Sequence, residues 1–178
     1  MTITLTEETG GGLYNANSYC TVAEANTFNN QRPFGTAWLA VGVEDKKRAL
    51  IMATRLLDEH IDWNGQSVKS HNLSLSDSNR QALAWPRSGV TDPDGYAVDQ
   101  DTIPQWLKDT TGELARFISG EDRTLDPSTA GFGRIELGSL KLEIDSGDRA
   151  GVLPRGVIHM VAPYGNPRFS SSAKLVRV

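Results

Sequence analysis

Gln81-Ala82-Leu83-Ala84-Trp85-Pro86-Arg87-Ser88-Gly89-Val90-Thr91-Asp92-Pro93-Asp94-Gly95 separates two helical halves of the chain, and no helix can run through it. Pro86 lacks an amide donor and turns the residue before it away from helical angles, so Trp85 is held at a bend. Upstream, Ser76, Asp77 or Ser78 can cap a short turn carrying Ala82, Leu83 and Trp85, so the spacing predicts a short helix ending at Pro86. An indole takes roughly 150–250 Å² out of water when buried, which makes Trp85 a predicted core anchor. Ser88-Gly89 and Asp92-Pro93-Asp94-Gly95 then read as turns.

Working outward, the strongest periodicity lies upstream. Ala49, Leu50, Ala53, Leu56, Leu57, His60 and Ile61 recur at three- and four-residue spacing, which predicts a helix over 43–61. Glu44 and Asp45 sit at its N-terminal end, where the helix dipole favours carboxylates, and Lys46, Lys47, Arg48 and Arg55 are expected on its solvent side. Its partner is a helix over 103–118, opened by Ile103-Pro104 with Thr102 as cap. Its apolar face is Ile103, Trp106, Leu107, Thr110, Leu114, Phe117 and Ile118. Before them, Thr21-Val22-Ala23-Glu24 has the spacing of a capping box, and Trp38 and Leu39 fall in a second helical turn.

The ends read differently. Residues 1–16 are polar and contain Gly10-Gly11-Gly12, the composition of a flexible N-terminal arm. Residues 134–145 alternate polar and apolar around Gly138-Ser139, as a β-hairpin does. A lone hairpin is marginal in water, so its apolar Ile135, Leu137, Leu140, Leu142 and Ile144 need a covering surface. Leu153-Pro154 opens a short helix, and residues 165–178 read as an extended C-terminal arm. The fold expected is mainly α: a small helical bundle over 17–164 with a protruding β-hairpin, flanked by the two arms.

Composition narrows the function. A chain of 178 residues with 38% hydrophobic and 22% charged residues fits one soluble domain and contains no membrane-length apolar run. The N-terminus has no signal-peptide pattern, and the single Cys20 allows no internal disulfide, which together point to synthesis in a cytoplasm. His60, His71 and His159 are too far apart for a metal-ligand spacing, and no phosphate-binding or nucleophile motif occurs, so no enzyme, catalytic residue, cofactor or metal is expected. Asp92-x-Asp94-Gly95 with Asp99 and Asp101 departs from a calcium loop, because Val90 falls where its first carboxylate belongs. The net charge of −4 argues against a protein that coats nucleic acid, although Trp38, Trp63, Trp85 and Trp106 are possible base-stacking rings. After Asp148 no acid remains, while Arg149, Arg155, Arg168, Lys174 and Arg177 do, giving a basic C-terminal stretch.

The 81–95 run, the Ile103-Pro104 helix start, Asn17-Ser18-Tyr19 and Ala23-Glu24-Ala25 together resemble a tailed-phage family labelled DnaT-like single-stranded DNA-binding proteins. Its members are similar in size and gene context to head-tail connector, or adaptor, proteins. The connector resemblance implies a structural virion protein at the head-tail junction, a homo-oligomeric ring, a dodecamer by family likeness, joining portal protein to tail proteins. Double-stranded DNA would pass its lumen without tight binding. Ile135, Leu137, Leu140, Leu142, Arg155, Arg168, Lys174 and Arg177 would then be the intersubunit or portal contacts. The label implies instead a replication-associated single-stranded DNA-binding protein, and that is the alternative expectation.

Overall fold

A computed structural model describes residues 2–124 and 151–168, and the backbone of 134–137 and 140–143. The elements are α1 (Val22–Asn30), α2 (Thr36–Ala40), α3 (Val43–His60), β1 (Ile61–Trp63), β2 (Gln66–Ser67), β3 (Arg87–Ser88), α4 (Gln105–Gly120), β4 (Arg134–Leu137), β5 (Leu140–Glu143), α5 (Arg155–Val161) and β6 (Gly165–Pro167). The strands form three two-stranded antiparallel pairs, β1–β6, β2–β3 and β4–β5. The protein is thus mixed and mainly helical. Among the described residues no helix is long and apolar enough to cross a membrane.

The helices form where the periodicity places them. α1 starts on a complete capping box: Thr21 Oγ1 accepts from the Glu24 amide, and the Glu24 carboxylate accepts from the Thr21 amide. α3 buries Ala49, Leu50, Ala53, Leu56 and Leu57, and α4 packs Leu107, Leu114 and Ala115 against it and against α1. Lys46, expected on the solvent side of α3, is buried: its ammonium lies 5.4 Å from the Trp38 ring centre and reaches the Leu39 carbonyl. α4 begins at Gln105 after Pro104, with no contribution from a Thr102 cap.

The core is not a bundle interior alone. Trp63, Trp85, Val90 and Ile103, all from the chain between α3 and α4, are buried with the helix faces. Trp85 is fully enclosed, edge-on to Trp63 at 5.9 Å and to Trp106 at 5.4 Å. Such T-shaped contacts add to area burial because ring edges and faces carry opposite partial charge.

The short helix expected over the residues before Pro86 is replaced by a single 3-10 turn, Asp77–Asn79, followed by non-helical chain. The physical reason is that the amides there bond outward: Gln81 N to Ser70 O at 3.0 Å and Ala82 N to Leu13 O at 2.9 Å. The Gln81 side chain completes the arrangement, accepting from Lys69 N and donating to the Leu83 and Pro86 carbonyls. The Trp85–Pro86 peptide is cis.

The N-terminal segment expected as a flexible arm is tied to the rest of the domain by its own hydrogen bonds. Glu8 is fully buried, and its carboxylate accepts from the amides of Gly10, Gly12 and Leu13 at 2.9, 3.0 and 2.6 Å. The glycines that suggested a flexible break are what allow this wrap. Gly10 has φ +109°, and a Cβ there would lie 2.0 Å from the Asp101 carbonyl oxygen. Lys108 of α4 holds the same segment by bonding Glu7 at 2.8 Å and Glu24 at 2.6 Å. At the other end, β6 pairs Ile61 with Pro167 and Trp63 with Gly165, so the start of the expected C-terminal arm is part of the domain. Residues 169–178 and the side chains of the hairpin lie outside the described residues.

One polar cluster joins these parts. The Tyr19 hydroxyl donates to Asp58 Oδ1 at 2.5 Å and accepts from the Trp85 amide at 3.1 Å, while Asp58 Oδ2 accepts from the Ala84 amide at 2.9 Å. Burial pushes the Asp58 carboxyl up to about 6, against these donors, which favour its charged form. Burial, then the Asp58 charge, raise the Tyr19 hydroxyl.

Two outcomes follow. Trp85→Ala is expected to lower stability by about 3–5 kcal/mol, read from chemical denaturation. For Asp58, the folded protein holds the proton more tightly than the unfolded chain, whose carboxyl titrates near 3.8. Stability should therefore rise as the pH falls through 6 towards 4, by up to about 3 kcal/mol, and be lost again as the pH rises. Asp58→Asn should flatten that dependence in melting curves taken across the range.

Candidate nucleic-acid interface

The surface beside this cluster is built by residues 64–88, which leave α3 and return through β2 and β3. Gly65 makes the tight turn at φ +69°, where a Cβ would meet the Ser88 carbonyl oxygen at 2.3 Å. Arg87 fixes the turn from inside: its guanidinium donates to the carbonyls of Asn64 and Gly65 at 2.7 Å, of Ala84 at 3.1 Å and of Trp63 at 3.3 Å, and to Ser67 Oγ. Those bonds use up the fork, so Arg87 is a strut whose charge still contributes to the local field.

A groove of about 400 Å³ runs along this turn, with Asp58, Trp63, Ala82 and Ala84 in its walls and Asp62, Ser67, His71 and Arg168 around it. His71 is exposed and its Nε2 lies 3.1 Å from Ser67 Oγ. Arg168 stands 3.5 Å from Asp62, both largely exposed.

Next to the groove lies an aromatic-cation pair. Ala82, which lines the groove, bonds the Leu13 carbonyl, so the backbone of Tyr14 lies one residue from that contact. The Tyr14 ring is 46% exposed, and the Arg80 guanidinium lies 5.6 Å from its centre. Arg80 is steadied by Asp77 at 2.9 Å, and Lys69 reaches the Gly12 carbonyl at 3.3 Å. In a chain of net charge −4, Arg87 and Arg168 border the groove together with Asp58 and Asp62, while Lys69 and Arg80 hold the segment that carries Tyr14.

The other candidates fall elsewhere. Trp38 and Trp85 are fully buried, Trp63 is 7% exposed, and Trp106 is covered face-on by Tyr164 at 3.9 Å, so the tryptophans serve the core. Cys20 is buried, which pushes its thiol up and away from nucleophilic use. Asp92 Oδ1 is occupied by the amides of Asp94 and Tyr96, as a turn requires. Among the described residues no group of three or more His, Cys, Asp or Glu is placed to hold a metal ion. Of the residues expected at an interface, Arg168 borders the groove and Arg155 is exposed at the start of α5. Lys174, Arg177 and the side chains of Ile135, Leu137, Leu140 and Leu142 lie outside the described residues. Tyr14, Lys69, His71 and Arg80 were missed. The signal available for Tyr14 was an aromatic ring in a polar, glycine-rich stretch with no periodic core face to serve.

The family model described as "Putative DnaT-like ssDNA binding protein" matches residues 3–178. No curated protein and no solved structure matches the chain. The match overturns the head-tail connector expectation, and with it the ring at the portal, the portal and tail partners and the passage of double-stranded DNA: the family is described by single-stranded DNA. It also agrees with the sequence resemblance as far as the DnaT-like label reached. With nearly its whole length matched, the chain belongs to the DnaT-like single-stranded DNA-binding protein family.

Proposed function

We propose that the protein binds single-stranded DNA across the face formed by Tyr14, Arg80, Lys69 and the neighbouring groove, as a binding protein and not as an enzyme. The observation that carries this reading is the half-exposed Tyr14 ring held beside the Arg80 guanidinium. Proteins that bind single strands without strong sequence preference combine an aromatic platform for a base with positive charge for the backbone. Tyr14 and Arg80 supply both within one contact, and Lys69 extends the charge along the strand path. The overall acidity limits affinity, because the long-range field opposes the approach of a polyanion and only the local cations favour it.

The test is fluorescence anisotropy with a labelled twenty-nucleotide strand at low salt. Tyr14→Ala is expected to weaken binding by about 1–3 kcal/mol, the range for one stacked base. Affinity should fall with salt with a logarithmic slope of about 0.7 for each phosphate neutralised, and Arg80→Ala should reduce that slope. Equal binding by wild type and both variants, or binding indifferent to salt, would remove this face from the account.

A further inference from the structure

Resting on that reading, we infer that the groove along the 64–88 turn is a guanine subsite in which Asp62 and Arg168 read the Watson–Crick edge of one base of the bound strand. The groove is roomy enough for a purine at about 400 Å³. Its charge is balanced, Asp58 and Asp62 against Arg87 and Arg168, which suits a neutral base carrying both donors and acceptors. The Asp58 carboxylate is already engaged by Tyr19 and Ala84, and the Arg87 fork by backbone carbonyls. Among the described residues that border the groove, Asp62 and Arg168 are the charged groups not already engaged by the fold in this way. Asp62 is 76% exposed at its side chain, Arg168 is 57% exposed, and their single contact is 3.5 Å, too long for a strong bond.

A carboxylate standing next to a guanidinium presents two acceptor oxygens beside a row of donors. Guanine offers the complement: N1–H and the N2 amine side by side for the carboxylate, and O6 next to them for the guanidinium. Adenine and cytosine each present one amine next to an acceptor nitrogen, and thymine presents one N–H between two carbonyls, so each leaves a carboxylate oxygen facing an acceptor or empty. Bases of single strands are free to be read on this edge because they are not paired. The His71 ring, exposed at the groove edge, offers a surface for the base to lie against, and Trp63 closes the wall with its indole N–H near Asp58 but without a completed hydrogen bond. Asp62 sits on β1 opposite Asn166 of β6, and Arg168 follows β6 with its amide bonded to the His60 carbonyl, so both backbones are fixed before a base arrives.

The experiment compares fifteen-nucleotide strands of thymidine carrying a central thymidine, guanosine or inosine deoxynucleotide, titrated at one low salt concentration with wild type and Asp62→Asn. Inosine lacks only the N2 amine. The guanine strand should bind about five- to ten-fold tighter than all-thymidine, the lower part of the range for a bidentate base contact. Inosine should lose most of that gain, and Asp62→Asn should bring the strands together while its melting temperature stays at the wild-type value. Equal affinity of the three strands for wild type, or a guanine preference that survives in Asp62→Asn, overturns the subsite and leaves single-strand binding intact. Absence of binding by every strand overturns the single-strand reading and the subsite with it.

Discussion

A carboxylate sits where three pieces of the chain meet. Asp58, on the last turns of α3, receives the Tyr19 hydroxyl and the Ala84 amide, and through Tyr19 it holds the Trp85 amide. A buried charge is costly without partners, so the N-terminal segment, the long helix and the non-helical stretch around Trp85 have to arrive together for it to be satisfied. Trp85, whose amide this cluster holds, enters the core edge-on to Trp63 and Trp106. The same chain path brings Ala82, which lines the groove, beside Leu13, the residue before Tyr14. The core and the candidate interface therefore share one constraint.

The parts of this arrangement that were legible in the sequence are those with a period. α3 and α4 follow from apolar residues at helical spacing, and the start of α1 follows from Thr21 and Glu24. The parts that were not legible are held by single polar side chains bonding the backbone of distant residues. Glu8 wraps the glycine-rich segment that looked like an arm, Gln81 keeps its neighbours out of a helix, and Arg87 gathers the carbonyls of a turn. Such contacts have no repeat along the chain, and a Glu or Gln reads the same whether it faces water or a buried amide. The tryptophans belong to the core, as their size favours, and the half-exposed ring is a tyrosine.

Charge deserves the same local treatment. The net charge of −4 weighed against nucleic acid when taken over the whole chain. In the fold, several acids are consumed internally: Glu7 and Glu24 on Lys108, Glu113 on Arg32 and Arg116, and Glu8 on backbone amides. A field within one Debye length, about 10 Å at 0.1 M salt, is set by the groups nearby and not by the total. The connector expectation failed where it leaned on gene context and size, properties that say nothing of which groups share a face.

The most direct measurement is where a bound strand touches the protein. Photocrosslinking of 5-bromodeoxyuridine oligonucleotides, followed by mass spectrometry of the peptides, is expected to place adducts on Tyr14 and on residues 66–88. Adducts confined to the exposed side of α3, around Lys47, Arg48 and Arg55, would contradict the account.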